Sequence, residues 1–232
     1  MAKPGTTPSA VAAKLMLMSV TSGCMDIVSY QLLGQVFTSA MTGNAALLGL
    51  DIGQGNLAAM SRNLSAFLGF LAGLVLGALL LRRQAAGTGA LLLEEVLLLG
   101  FAVLWHVGAG PSSDGLLYGL IALSAVAMGV QSTVANRLGV HGITTTYFTG
   151  TLTSIVMGAV GDGVAQRQRG RIRWPVLSFL AYVLGAALTG ALLLWDRSGP
   201  ATILLTWLPA LLIAPVLLMS WQGGAKSSRR RT

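Results

Sequence analysis

The stretch LMLMSVTSGCMDIVSYQLLG, from Leu15 to Gly34, decides the fold class of this chain. It is mostly apolar, and about 20 such residues are what an α-helix needs to cross the hydrocarbon of a bilayer. Asp26 is its single charged side chain. An ionised carboxylate is costly inside a membrane unless it faces a partner or a polar cavity, so an acid in this position marks a candidate functional site. The stretch therefore predicts a transmembrane helix that carries a candidate functional site.

The rest of the chain has the same apolar character. Hydrophobic residues make up 54% of the 232 positions and charged residues only 9%, which is outside the range of soluble domains. We therefore predict an all-α, polytopic helical membrane protein, a single integral membrane domain over residues 1–232 with a disordered basic tail at 222–232. The uncharged runs are Leu64–Leu81, Gly115–Asn136, Leu138–Gly161, Trp174–Trp195 and Ser198–Ala225.

The net charge of +8 lies at the ends of the apolar runs. This distribution follows the positive-inside rule and predicts that both termini are cytoplasmic. Because no basic soluble domain is present, we expect the lipid bilayer, and no nucleic acid, as a partner. The basic residues that define the pattern are Lys3, Lys14, Arg167, Arg169, Arg171, Arg173, Lys226, Arg229, Arg230 and Arg231.

An internal duplication organises the sequence. AMTGNAALLG, from Ala40 to Gly49, matches YFTGTLTSIVMG, from Tyr147 to Gly158. FLGFLAG from Phe67 then matches FLAYVLG from Phe179, and Gly23 has a rough counterpart in Gly129. Ordered matches of this kind predict two homologous halves, with repeats at about 15–107 and 115–221.

The number of spans depends on whether the two short Thr-Gly segments cross the membrane. With six spans and a cytoplasmic N-terminus, Arg62 and Arg197 are the basic residues that fall outside. With eight spans, Arg82, Arg83, Arg137 and Arg197 would all fall outside. The charge distribution thus favours six full spans plus two short segments, with eight spans as the alternative. An odd number of spans per half makes the repeats inverted.

The polar residues within these runs form a candidate substrate or ion path. Ser22, Asp26 and Ser29 share one helix face. Glycines in the Thr-Gly segments free backbone groups, which a membrane tolerates only where protein, water or ligand satisfies them. The alternative is structural: Asp26 could pin helices together, neutralised by Arg137 or by protonation. The remaining path residues are Thr42, Gly43, Asn44, Gln131, Thr149, Gly150 and Thr151.

Small residues four apart predict close helix packing. Gly69, Gly73 and Gly77 form a GxxxGxxxG stripe, and Gly185 is the counterpart of Gly73 in the second half. Such stripes let helix backbones approach in lipid, within one chain or between two copies in a homo-oligomer.

The sequence does not favour an enzyme. Glu94 and Glu95 resemble the start of an intramembrane metalloprotease motif, but Leu99 stands where an arginine is required. His106 and His141 lack the spacing of a zinc site, and neither a GxSxG elbow nor a phosphate-binding lysine loop occurs. We predict no catalytic residues, no metal and no cofactor.

Several motifs in fixed order resemble one family. GCMDIVSY at 23–30, MTGN at 41–44, MGVQSTVANRLGV at 128–140 and TTYFTGTLT at 145–153 are similar to the YoaK-like family of bacterial membrane proteins, over nearly the whole chain. The resemblance implies a six-span protein of the bacterial cytoplasmic (inner) membrane. Asp26, Thr42, Gly43, Asn44, Thr149 and Gly150 occupy the family's signature positions.

Two functions remain after these exclusions. The first is a transporter or permease for a small molecule or ion, with a polar path lined by Asp26 and the Thr-Gly segments. The alternative is a non-transporting scaffold or accessory subunit that associates through the glycine stripe.

Overall fold

A computed structural model describes residues 8–83, 87–138, 165–195 and 200–229, and this part of the chain is helical with short turns. Six of its helices are long and apolar enough to span a membrane, which confirms the predicted polytopic helical fold. The helices are α1 (Pro8–Leu32), α2 (Met41–Gln54), α3 (Leu57–Arg83), α4 (Thr88–Val107), α5 (Asp114–Arg137), α6 (Ala165–Trp195) and α7 (Pro200–Arg229).

The first Thr-Gly segment forms α2, which is too short to cross the hydrocarbon. Its 14 residues rise about 21 Å, against about 30 Å for a span. Gly55 ends the helix in the left-handed region, at φ 67°. The amide of Asn63 on α3 donates to the Asp51 carboxylate at 2.8 Å and secures α2 on α3. The second Thr-Gly segment, 147–158, lies outside the described residues.

Glycines bring α3 and α5 into backbone contact. A Cβ on Gly73 would lie 2.2 Å from the carbonyl oxygen of Val126, and a Cβ on Gly129 would lie 2.3 Å from that of Phe70. Gly77, one turn farther along, faces Thr133. The stripe therefore packs against a helix of the same chain, at a separation that no larger side chain allows.

A second glycine crossing joins α1 and α6. A Cβ on Gly23 would lie 2.1 Å from the carbonyl oxygen of Tyr182, and a Cβ on Gly185 would lie 2.3 Å from that of Val20. Each crossing thus pairs one glycine from the first 110 residues with one from the second half of the chain. α4 packs between α5 and α7, and α1 packs on α7, so the spans neighbour each other in the order α3, α5, α4, α7, α1, α6.

The side chains sort by what they face. The core between the helices is apolar and contains Met25, Phe101, Ile121 and Ile213. Large apolar side chains such as Leu68 and Val75 on α3 point outward, where a bilayer would surround them.

The last helix extends past the start of the tail expected at 222–232, of which residues 230–232 lie outside the described residues. α7 continues to Arg229 and passes through Pro209 and Pro215. Extending an existing helix costs far less than nucleating one, and the alanine, lysine and arginine of this segment are good helix formers.

Candidate functional site

Asp26 is fully buried on α1 and accepts five hydrogen bonds. Oδ1 accepts from the backbone N–H groups of Thr38 at 2.8 Å and Ser39 at 2.7 Å, and from the Thr38 hydroxyl at 3.3 Å. Oδ2 accepts from the Ser39 hydroxyl and the Tyr182 hydroxyl, both at 2.7 Å. Because an ionised carboxylate is purely an acceptor, five donors match that form of the side chain.

These donors reach Asp26 because the chain folds back after α1. Gly34 and Gln35 take positive φ angles of 82° and 65°, which reverse the chain direction. Residues 33–40, the α1–α2 loop, then return along α1, and Leu33 and Val36 are buried. Asp26 lies six residues before the end of α1, or about 9 Å along its axis, so the loop is held below the end of the span.

Asn44 secures the same loop from the other side. Its Oδ1 accepts from the backbone N–H of Phe37 at 2.8 Å, and its Nδ2 donates to the carbonyl of Phe37 at 2.5 Å. The Phe37 ring stacks on Tyr30 with centroids 5.1 Å apart, and it lies against Gly43, where a Cβ would come within 2.9 Å. Gly43 and Asn44 thus bind the loop, whereas the Thr42 side chain is exposed.

The other predicted path residues on the long helices bond elsewhere. The Gln131 amide donates to the Ser22 hydroxyl at 2.7 Å and to the Met18 carbonyl at 2.9 Å, which ties α5 to α1. The Ser29 hydroxyl donates to the Met25 carbonyl at 2.7 Å. Thr149, Gly150 and Thr151 lie outside the described residues.

Arg137 does not pair with Asp26. Its guanidinium donates to the carbonyl of Leu81 in the last turn of α3. A cation there satisfies a carbonyl that the helix leaves open and opposes the negative end of the helix dipole.

Sequence reasoning missed three residues of the Asp26 site. Thr38 and Ser39 directly precede the Thr-Gly segment, and their position before a short helix was the available signal. No sequence signal pointed to Tyr182, because its contact with Asp26 depends on the crossing of α1 with α6. The two residues are 156 positions apart along the chain. A small cavity of about 80 Å³ lies farther along the same two helices, lined by Gln31, Leu32, Gly190, Leu193 and Leu194.

The Asp26 site is a buried carboxylate held by donors from the α1–α2 loop and from α6. In the described part of the chain no three His, Cys, Asp or Glu side chains come together. The Asp26 carboxylate instead lies beside the N-terminal approach to α2, where the helix dipole favours negative charge.

The family model for "Protein of unknown function (DUF1275)" matches residues 14–219. The chain belongs to the DUF1275 family. It is also 33% identical over 211 residues to UPF0700 transmembrane protein YoaK of Bacillus subtilis (strain 168), covering 88% of this chain and 91% of that protein. No solved structure matches. Membership in DUF1275 confirms the family resemblance and agrees with the helical membrane fold.

Proposed function

We propose that this DUF1275 protein is a small transporter that moves a small molecule or ion along a polar path beside α2. The observation that carries the proposal is the α1–α2 loop: irregular backbone held alongside α1, below the end of that helix, by a buried carboxylate. Non-helical backbone at membrane depth is tolerated only where protein buries it or where it lines a water-filled cavity. Short half-helices after such breaks commonly form the binding sites of transporters.

The roles of the site residues follow from their contacts. Asp26 is a positioning residue, since all five of its donors come from the loop and from Tyr182 on α6. Asn44 and Gly43 fix the loop from α2. The exposed face of α2, which includes Thr42, would then border the path, and Thr149, Gly150 and Thr151 would contribute the equivalent segment of the second half.

The same proposal includes inverted halves in a bacterial cytoplasmic membrane with both termini in the cytoplasm. Reciprocal glycine crossings support the duplication, because Gly23 and Gly129 are counterparts, as are Gly73 and Gly185. Each crossing joins the first helix of one half to the second long helix of the other.

The packing of the glycine stripe weighs against the scaffold alternative. A scaffold that associates through Gly69, Gly73 and Gly77 needs that surface to be free. In the structure all three glycines lie against α5 of the same chain. The surface is therefore occupied before any partner could bind it.

Cysteine accessibility in native membranes tests the transport proposal. Cys24 is buried and is first replaced by alanine, and single cysteines are then placed at Thr42 and Ala46 on the exposed face of α2. Val75, which is 59% exposed on α3, gives a matched control that faces lipid. A membrane-impermeant maleimide should label positions 42 and 46 but not 75. Absence of label at both α2 positions would contradict the path.

The second half supplies a further arm of this experiment. A cysteine at Thr149 should be labelled from the side opposite to that which labels Thr42. Labelling of both positions from the same side of the membrane would contradict the inverted arrangement of the two halves. In proteoliposomes under a pH gradient, the variant with a cysteine at position 42 should carry an ion flux before labelling. Attachment of a bulky maleimide to that cysteine should stop the flux.

A further inference from the structure

Glu94 is a buried acid that the site around Asp26 does not use. Its side chain is 0% exposed, and among the described residues neither of its carboxylate oxygens has a hydrogen-bond partner. It lies six residues into α4, or about 9 Å from the start of that span. In the part of the chain that the structure describes, Asp26 thus has five donors and Glu94 has none.

A buried carboxylate with no partner is not a stable ion. Moving an unpaired charge from water into an apolar interior costs so much that the group is neutralised by a proton or a bound cation. Membrane helices retain such acids almost only where they face the bundle interior and take part in proton or ion movement. Glu94 fits that pattern, because its side chain is buried where α4 packs against its neighbouring helices.

The neighbouring helices add polar atoms but no opposite charge bonded to Glu94. Gln131 lies six residues before the end of α5, the helix antiparallel to α4, and is therefore at about the same depth. Its Oε1 is buried and has no partner in the described segments, and the same holds for the hydroxyl of Ser19 on α1. A protonated Glu94 has an O–H to donate, and the free oxygen of Gln131 is an acceptor of matching depth.

Glu95 follows Glu94 directly on α4; it is only partly buried, and its Oε2 also has no hydrogen-bond partner among the described residues. The charged groups of the helices around α4 are engaged or lie at the ends of the spans. Lys14 on α1 donates to the Ser220 hydroxyl of α7 at 2.8 Å, and Arg137 on α5 donates to the Leu81 carbonyl. Arg82 on α3 is exposed, and α7 has no charged or histidine side chain from Thr202 to Gln222.

We propose that Glu94 is an exchangeable proton-binding site at the end of the bundle where α4 begins and α5 ends. This inference deepens the proposed transport function and rests on it: Glu94 would carry the coupling proton, while Asp26 holds the α1–α2 loop. Glu94 becomes a neutral carboxylic acid when it binds the proton, and it releases the proton when the site opens to water.

Carbodiimide labelling tests the site without any transport substrate. N,N′-dicyclohexylcarbodiimide reacts with protonated carboxyl groups in apolar surroundings, and peptide mass spectrometry locates the adduct. We expect the purified full-length protein to be modified at Glu94, with labelling that falls about tenfold per pH unit once the group begins to ionise. Glu94→Gln should remove that adduct, and Glu95→Gln, the matched control, should retain it.

Infrared difference spectroscopy gives a second measurement in the same protein. A protonated carboxyl band that shifts in D₂O and is missing from Glu94→Gln supports the proposal. An adduct confined to Glu95, or the lack of both adduct and band at Glu94, overturns it.

Proton movement in proteoliposomes separates the two proposals. Loss of dye-reported proton flux in Glu94→Gln, with flux kept in Glu95→Gln, supports both. An adduct at Glu94 in a protein that moves no protons supports the site and counts against proton-coupled transport. Flux that is unchanged in Glu94→Gln overturns the proton-carrying role of Glu94 and leaves transport standing.

Discussion

Gly73 on α3 and Gly129 on α5 lie so close together that a Cβ on Gly129 would stand 2.9 Å from the Cα of Gly73. Backbone and not side chain fills the space on both sides of this contact. The helices can therefore accept a larger residue only by moving apart, which would also disturb the Gly77 contact one turn away.

Alanine at Gly73 or Gly129 should lower thermal stability. Overpacking a close contact typically costs about 1–3 kcal/mol, and here the obstructing atoms are backbone. Gly100→Ala on α4 is the control, because no atom lies within 4 Å of a Cβ there and alanine is the better helix former. The melting temperature of each detergent-solubilised variant is measured by size-exclusion chromatography after heating. Equal melting temperatures for the three variants would contradict the crossing.

Asp26→Asn should loosen the α1–α2 loop. The amide keeps one acceptor oxygen but presents an NH₂ group to donors, and each lost hydrogen bond to a charged group is worth about 1.5–3 kcal/mol. Hydrogen exchange at the amides of Thr38 and Ser39 should accelerate. Tyr182→Phe removes one of the five donors and should give a smaller increase. If Asp26→Asn leaves exchange at these amides unaltered, the carboxylate does not hold the loop.

Asn44→Ala should release the same loop from the α2 side. The substitution leaves the partly buried N–H and carbonyl of Phe37 without their partner, at a cost of about 1–3 kcal/mol at most. Thr42→Ala is matched by location on α2, but its side chain is exposed. Exchange at Phe37 reports the difference, and a larger effect from the threonine variant would show that the assignment is wrong.

Arg137→Leu should fray the end of α3. It removes the donor to the Leu81 carbonyl and a cation that opposes the helix dipole, an effect of about 0.3–2 kcal/mol. Faster amide exchange in the last turn of α3 is the expected result. Arg82→Leu, which changes an exposed arginine in that turn, should have less effect on stability. Comparable effects from both would mean that charge near the membrane surface matters more than the contact.

The spans and their close contacts were predictable because their signals are local. Apolar length identifies a crossing helix, and the spacing of Gly69, Gly73 and Gly77 marks the face that packs. The same arithmetic showed that the first Thr-Gly segment is too short for a full crossing. The sequence also placed Asp26 within an apolar helix, and in the structure it lies on α1, one of the six helices long and apolar enough to span a membrane.

The partners of the polar residues were not predictable by the same means. Tyr182 meets Asp26 only because two glycines let α1 and α6 approach. The contrast between Asp26 and Glu94 is likewise not visible in the sequence, since both are carboxylates within apolar runs. Which of them receives donors depends on a chain reversal at Gly34 and Gln35.

The crossing of Gly23 with Gly185 has a consequence for biogenesis. α1 leaves the ribosome first, yet the helix that covers its glycine surface is synthesised about 150 residues later, and chains grow at about 5–20 residues per second. During that interval, lipid or the insertion machinery has to cover the exposed surface of α1 around Gly23, which lies next to Asp26. Premature termination anywhere before α6 would leave the glycine surface of α1 without its partner helix, so quality control should recognise truncated chains through unpaired surfaces of this kind.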